Sequence, residues 1–211
     1  MMSAPSPSSS TTCTATSPAS RCATSWTSAG GTEARPPCIG LALAEEALLH
    51  SLESPGDSRA AVGLGLLHSN LAVSGLRGWL GQATGTARVD VALSLWRIER
   101  YAPALDHLLD TLLRDPDWTA RLDAAIALRE MPGERVQRAL WRALDDPEGL
   151  VRHHALVSLL AMQGIEEPSE VESNPCIGIM QDDEATRLDA KRELARMLGL
   201  PEGGPPESGR G

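Results

Sequence analysis

"TARLDAAIALRE", Thr119–Glu130, restates "TARVDVALSLWR", Thr86–Arg97, thirty-three residues further along the chain. Near-identity at a period of 20 to 50 residues marks a repeat architecture. Aligning on the arginine of each copy extends the series to Arg59, Arg88, Arg121, Arg152 and Arg187, at spacings of 29, 33, 31 and 35. Apolar residues recur in each unit at three- and four-residue steps: Val62 and Leu66, then Val91, Leu95 and Ile98, then Ala124, Leu128 and Met131, then Ala155, Leu159 and Met162, then Ala190, Leu194 and Met197. Such spacing places one apolar stripe on a helix. Between successive arginine helices stand "NLAVSGLRGWL", "APALDHLLDTLL", "ERVQRALWRAL" and the shorter "NPCIGIMQ", with "LALAEEALLHSL" in front. Each unit therefore reads as a helix pair, and five pairs follow from Gly40 onward.

Punctuation agrees with that division. Asp115-Pro116 and Asp146-Pro147 read as an N-cap acid beside a proline that opens the next helix, and Pro132-Gly133 separates two others. In the last unit Lys191 and Arg192 stand where earlier units carry Ala125 and Ile126, which predicts the polar outer face of a terminal cap. "EEPSEVES", Glu166–Ser173, reads as an enlarged loop.

A period near 33 also suits ankyrin and tetratricopeptide arrays, but the signposts of both are missing. At "DPDWTARLDAAIALRE" and "DPEGLVRHHALVSLL" the chain instead resembles HEAT repeats, specifically the short HEAT-like repeats named after phycobilisome lyases. The resemblance runs over residues 41–199 and is strongest over 86–162. It implies an all-α fold, a right-handed α-α superhelix (a HEAT-like solenoid) of about five helix pairs. The family spans lyases, scaffolds, regulators and a few enzymes, so it implies a fold rather than a reaction.

Composition sets the frame around this body. The chain has 211 residues, is 42% hydrophobic, contains no Phe and carries a net charge of −9. Residues 41–200 hold 16 basic against 25 acidic side chains. That balance argues against nucleic acid, whose phosphates need a basic footprint. Residues 1–39, rich in Ser, Thr, Pro and Ala without periodicity, are expected to be disordered, and 201–211, "PEGGPPESGRG", to be a flexible tail. The first segment also shares the Ser, Thr and Arg content of an organelle transit peptide. No stretch approaches the ~18 to 20 continuous apolar residues of a membrane helix. Cys13, Cys22, Cys38 and Cys176 form neither a metal-binding spacing nor a disulfide framework, and the expectation is a soluble cytoplasmic protein without metal or cofactor.

Chemistry-bearing residues are weighed against structural roles. The arginine ladder, with Asp90, Asp123 and Asp189 two places on, reads as inter-repeat bonding to loop carbonyls and acids rather than an anion stripe. His153 and His154 point ~100° apart on a helix and lack an i+4 acid or thiol, so no metal site is expected. Repeated His-Glu pairs, G-x-S-x-G, phosphate loops and H-E-x-x-H are all missing from the sequence. Superposing the second helices puts Trp79 with Leu112 and Ala143 in an apolar column. Trp141 falls with Arg77 and Asp110 in a polar one, which predicts an exposed Trp141.

The function expected from these readings is a non-catalytic scaffold or adaptor that binds a protein partner along its concave surface, including a regulatory or immunity-type inhibitor. The candidate partner-binding residues are Arg77, His107, Asp110, Arg138, Trp141 and Arg142, with Trp141 as apolar anchor. The alternative is a HEAT-like enzyme acting on nucleic acid, as glycosylases of this fold do with exposed aromatics and an acid, or on a tetrapyrrole as bilin lyases do.

Overall fold

The computed structural model describes residues 39–52, 57–166 and 174–206. All the regular structure there is helical: α1 (Ile39–Leu52), α2 (Ser58–Leu66), α3 (Val73–Leu80), α4 (Gly85–Glu99), α5 (Ala102–Arg114), α6 (Trp118–Ala127), α7 (Glu134–Ala143), α8 (Gly149–Met162), α9 (Pro175–Met180) and α10 (Glu184–Met197). Single 3-10 turns, Asn70–Ala72 and Leu128–Glu130, adjoin α3 and α6. Residues 1–38 and 167–173 lie outside the described residues, and with them nearly all of the expected disordered segment and of the enlarged loop.

The arginine helices pack on one another in chain order, α2 on α4, α4 on α6 and α6 on α8. Small residues make the close approach possible. A Cβ added at Gly65 would come within 2.8 Å of the Ser94 Cα. Ser158 on α8 donates across the seam to the Ala125 carbonyl at 2.8 Å. Ala92, Ala124, Ala125 and Ala155 are fully buried along the same line. The intervening helices close the other side: α5 packs on α4, α6 and α7, and α7 on α8. Leu76, Leu95, Leu108, Leu128, Leu140, Leu159 and Leu194 join in one apolar cluster that runs through every described unit. Leu and Ala suit this arrangement because both pack on helix faces at little conformational cost.

Four ladder arginines tie helices to loops. Arg88 donates from Nε to the Ala83 carbonyl at 2.8 Å. Arg121 reaches the Asp115 carbonyl at 2.9 Å and forms a two-pronged pair with Asp146 of the next unit at 2.7 and 2.9 Å. Arg152, 2% exposed, donates to the carbonyls of Asp146, Pro147, Ile179, Met180 and Gln181. Arg187 serves Asp182 O at 2.6 Å. Arg59 differs, because its side chain is exposed and lies 4.0 Å from Asp57 at its own helix start. In the same unit Leu66, expected in the buried stripe, ends α2 at 63% exposed, and Leu64 is buried instead.

The capping reading shifts by two residues. Asp117, not Asp115, caps α6, its side chain accepting from Thr119 N. Asp115 ends α5, since Pro116 cannot continue a helix. Asp115 and Asp146 instead accept from the backbone N–H groups of Asp117 and Glu148, which turns the chain between helices. Lys191, expected on the outer face of the cap, turns back to pair with Asp145 at 2.9 Å.

Candidate functional site

α5 begins at a proline-bearing first turn and buries Ala104, Leu108, Thr111 and Leu112 against the core. Its other face carries Asp106, His107, Asp110, Leu113 and Arg114. α7 buries Val136, Ala139 and Leu140, which leaves Arg135, Arg138 and Arg142, spaced three and four apart, on one stripe. The two helices pack side by side, and the faces that neither buries bound an open groove of about 730 Å³. Leu109, Leu113 and Ala139 contribute apolar surface to it, and the arginines and aspartates line its walls.

Its charges are organised by short contacts. Arg135 of α7 crosses to Asp106 of α5 at 2.7 Å, and Arg114 bonds Asp110 of its own helix at 2.5 Å. Arg138 reaches Glu134 at 3.4 Å. A second cavity of about 450 Å³ adjoins, sharing Asp110 and Arg114 and bounded by Thr84, Gly85, Arg88 and Asp115.

Of the six residues singled out in the sequence, His107, Asp110, Arg138 and Arg142 line the groove together. Arg77 does not. It forms a two-pronged pair with Glu99, both contacts at 2.8 Å, and its guanidinium lies 4.6 Å from the centre of the Tyr101 ring. The Glu99 carboxylate, as hydrogen-bond partner, holds Arg77 charged above the ordinary arginine range.

Trp141 overturns the expectation of an exposed anchor: it is 7% exposed and part of the core cluster. The chain after α10 returns over it, and Gly204 packs so closely that a Cβ there would overlap the indole. Lys191 adds its ammonium 5.6 Å from the ring centre. Column alignment compares only equivalent positions in the repeats. It cannot register cover from a segment outside them. For the same reason residues 201–206, expected as part of a flexible tail, include a buried Gly204, whose N–H bonds Pro201 O at 2.8 Å.

Sequence reasoning missed Arg135, Asp106, Arg114, Leu109 and Leu113. The three- and four-residue spacing of Arg135, Arg138 and Arg142 carried the signal, but reading one column at a time obscured it. Among the described residues there is no group of three or more His, Cys, Asp and Glu arranged to hold a metal. His153 and His154 pack edge to face with ring centres 5.1 Å apart. The groove offers guanidinium donors beside aliphatic surface, a setting for binding carboxylates. No described tryptophan lines it. No family model, curated protein or solved structure matches this chain.

Proposed function

We propose that the protein is a non-catalytic scaffold of the HEAT-like type, its helix pairs wound as a right-handed solenoid, that binds a segment of a protein partner in the groove between α5 and α7. The observation that carries this reading is the groove itself: two successive second helices leave their polar faces open over a shared aliphatic floor. An open groove suits a peptide segment better than a small substrate, which needs enclosure on most sides. The glycosylase-like and lyase-like alternatives find less support, because no tryptophan or tyrosine lines the groove beside its carboxylates. No cofactor figures in the proposed role.

Site-specific photo-crosslinking in the native host tests it. A photoreactive residue at Leu113, in the groove, is expected to trap a defined partner peptide. The same residue at Leu71, which is 73% exposed and lies outside the groove, is expected not to trap it. Trapping at Leu71 but not at Leu113 would place recognition on another face.

A further inference from the structure

We infer that the groove selects an acidic segment with one aliphatic face, an inference that rests on the groove being the partner-binding surface. The chain as a whole carries −9, yet the groove walls hold four arginines, at 114, 135, 138 and 142, against two aspartates. Both aspartates are already engaged within it, Asp106 by Arg135 and Asp110 by Arg114. Arg138 turns to Glu134, a side chain that is 84% exposed, over 3.4 Å. The Arg138 side chain is 21% exposed while its partner stands in solvent, and the contact is long, so an incoming carboxylate can take the place of Glu134 on the guanidinium. Arg142 is exposed one helical turn further along the same stripe. Guanidinium groups prefer planar, two-pronged contact with carboxylates.

The floor decides what carries those carboxylates. Leu109 and Leu113 present aliphatic surface above the nearly buried Ala139, and Leu113 is 41% exposed. Small aliphatic side chains of a partner would pack there, with acids rising on either side to the arginines. Single-stranded nucleic acid fits less well, because successive bases stack on a series of aromatic platforms and the groove offers only the His107 ring. Asp106 and Asp110 would also face its phosphates. The overall charge of the protein predicts the opposite selectivity, for a basic ligand. The sign of the selectivity is therefore diagnostic.

The test titrates the full chain into three labelled peptides of about 15 residues, long enough for a helix to form on binding. They share Leu and Ala positions and carry Glu, Gln or Lys elsewhere. A labelled single-stranded oligonucleotide serves as the fourth probe. The Glu peptide is expected to bind about tenfold or more tightly than the Gln peptide, which corresponds to ~1.4 kcal/mol, with the Lys peptide weakest. Arg138→Glu with Arg142→Glu is expected to abolish that preference, and Leu113→Ser to weaken the Glu and Gln peptides alike. Circular dichroism checks the helical fold of each variant. If the double variant loses helix, Arg142→Gln alone, at an exposed position, is expected to reduce the preference severalfold.

Equal binding of the Glu and Gln peptides, both weakened by Leu113→Ser, would overturn the acidic preference and leave the groove as binding surface. Binding indifferent to every groove variant would overturn both. An oligonucleotide that binds more tightly than the Glu peptide and is lost on charge reversal would replace the acidic segment with nucleic acid. Absence of Glu-peptide binding overturns the inference outright.

Discussion

Gly204 lies against the face of the Trp141 indole with φ at +92°, so a residue beyond the last helix seals a side chain contributed by α7. Only glycine accommodates both conditions, because any Cβ would overlap the ring and the left-handed backbone region disfavours side chains. Gly204→Ala is therefore expected to cost about 2 to 3 kcal/mol in urea unfolding. Trp141→Ala is expected to cost about 3 kcal/mol or more. The double variant should fall short of the sum by about 1 kcal/mol or more, since removing the ring removes the collision. A Gly204→Ala protein as stable as the wild type would show that this segment does not cover Trp141.

Arg121 and Asp146 join consecutive units through a pair whose side chains are 12% and 7% exposed. The Asp146 carboxylate, as hydrogen-bond partner, raises the Arg121 value above the ordinary arginine range. Removing one member strands the other in a nearly dry site. Arg121→Ala and Asp146→Ala are each expected to cost about 3 kcal/mol, and the double variant little more than either alone. Chemical unfolding of the four proteins measures this directly. Strictly additive losses would mean that the pair contributes no coupling.

Burial pushes the Asp123 carboxyl above its ordinary value, and the charges of Asp90 and Asp117 add to the shift. Asp90 is raised as well, chiefly by burial, against a hydrogen bond from Ser58. A raised folded-state value means that the folded protein holds the proton more tightly than the unfolded chain does. The ionised carboxylate consequently destabilises at pH above the folded value. That cost fades as pH falls through the folded value toward the unfolded one. Asp123→Asn is expected to raise stability at neutral pH, with the advantage shrinking on acidification into the carboxylate range. Thermal melts of both proteins across that range check the sign, and a gain that grew on acidification would contradict it.

The α2–α4 seam tolerates nothing larger than glycine at position 65. A Cβ there meets Ser94 Oγ, Cα and Cβ at 2.7 to 2.8 Å. Gly65→Ala is expected to cost about 1 to 3 kcal/mol by prising the two helices apart. Ser94→Ala should not rescue it, because the Ser94 backbone still collides. Full rescue in the double variant would mean that only the hydroxyl stood in the way.

The helices were legible because a repeated unit states its periodicity several times over. Leu95, Leu128 and Leu159 recur at equivalent places in successive units, and all three are buried. The structural role of four of the five arginines was legible for a similar reason: a long donor placed at a helix start beside a loop finds carbonyls within reach, as Arg88, Arg121, Arg152 and Arg187 do. Four of the groove's lining residues could be read as well, because residues three and four apart on a helix share a face, as His107 with Asp110 and Arg138 with Arg142 do. The turn acids were harder, since Asp and Pro together serve as well in a turn as at a cap. Spacing along the chain does not distinguish the two.

Helix content, the pairing of helices and the identity of the buried stripes follow from the order of residues alone, because they depend on contacts a few positions apart or on a repeat that copies them. Tertiary structure alone decided which polar faces meet and which aromatic is covered. Arg135 finds Asp106 29 residues away, Lys191 finds Asp145 46 residues away, and Gly204 closes on Trp141. Those contacts depend on where distant segments return in space, which the periodicity of a repeat does not specify.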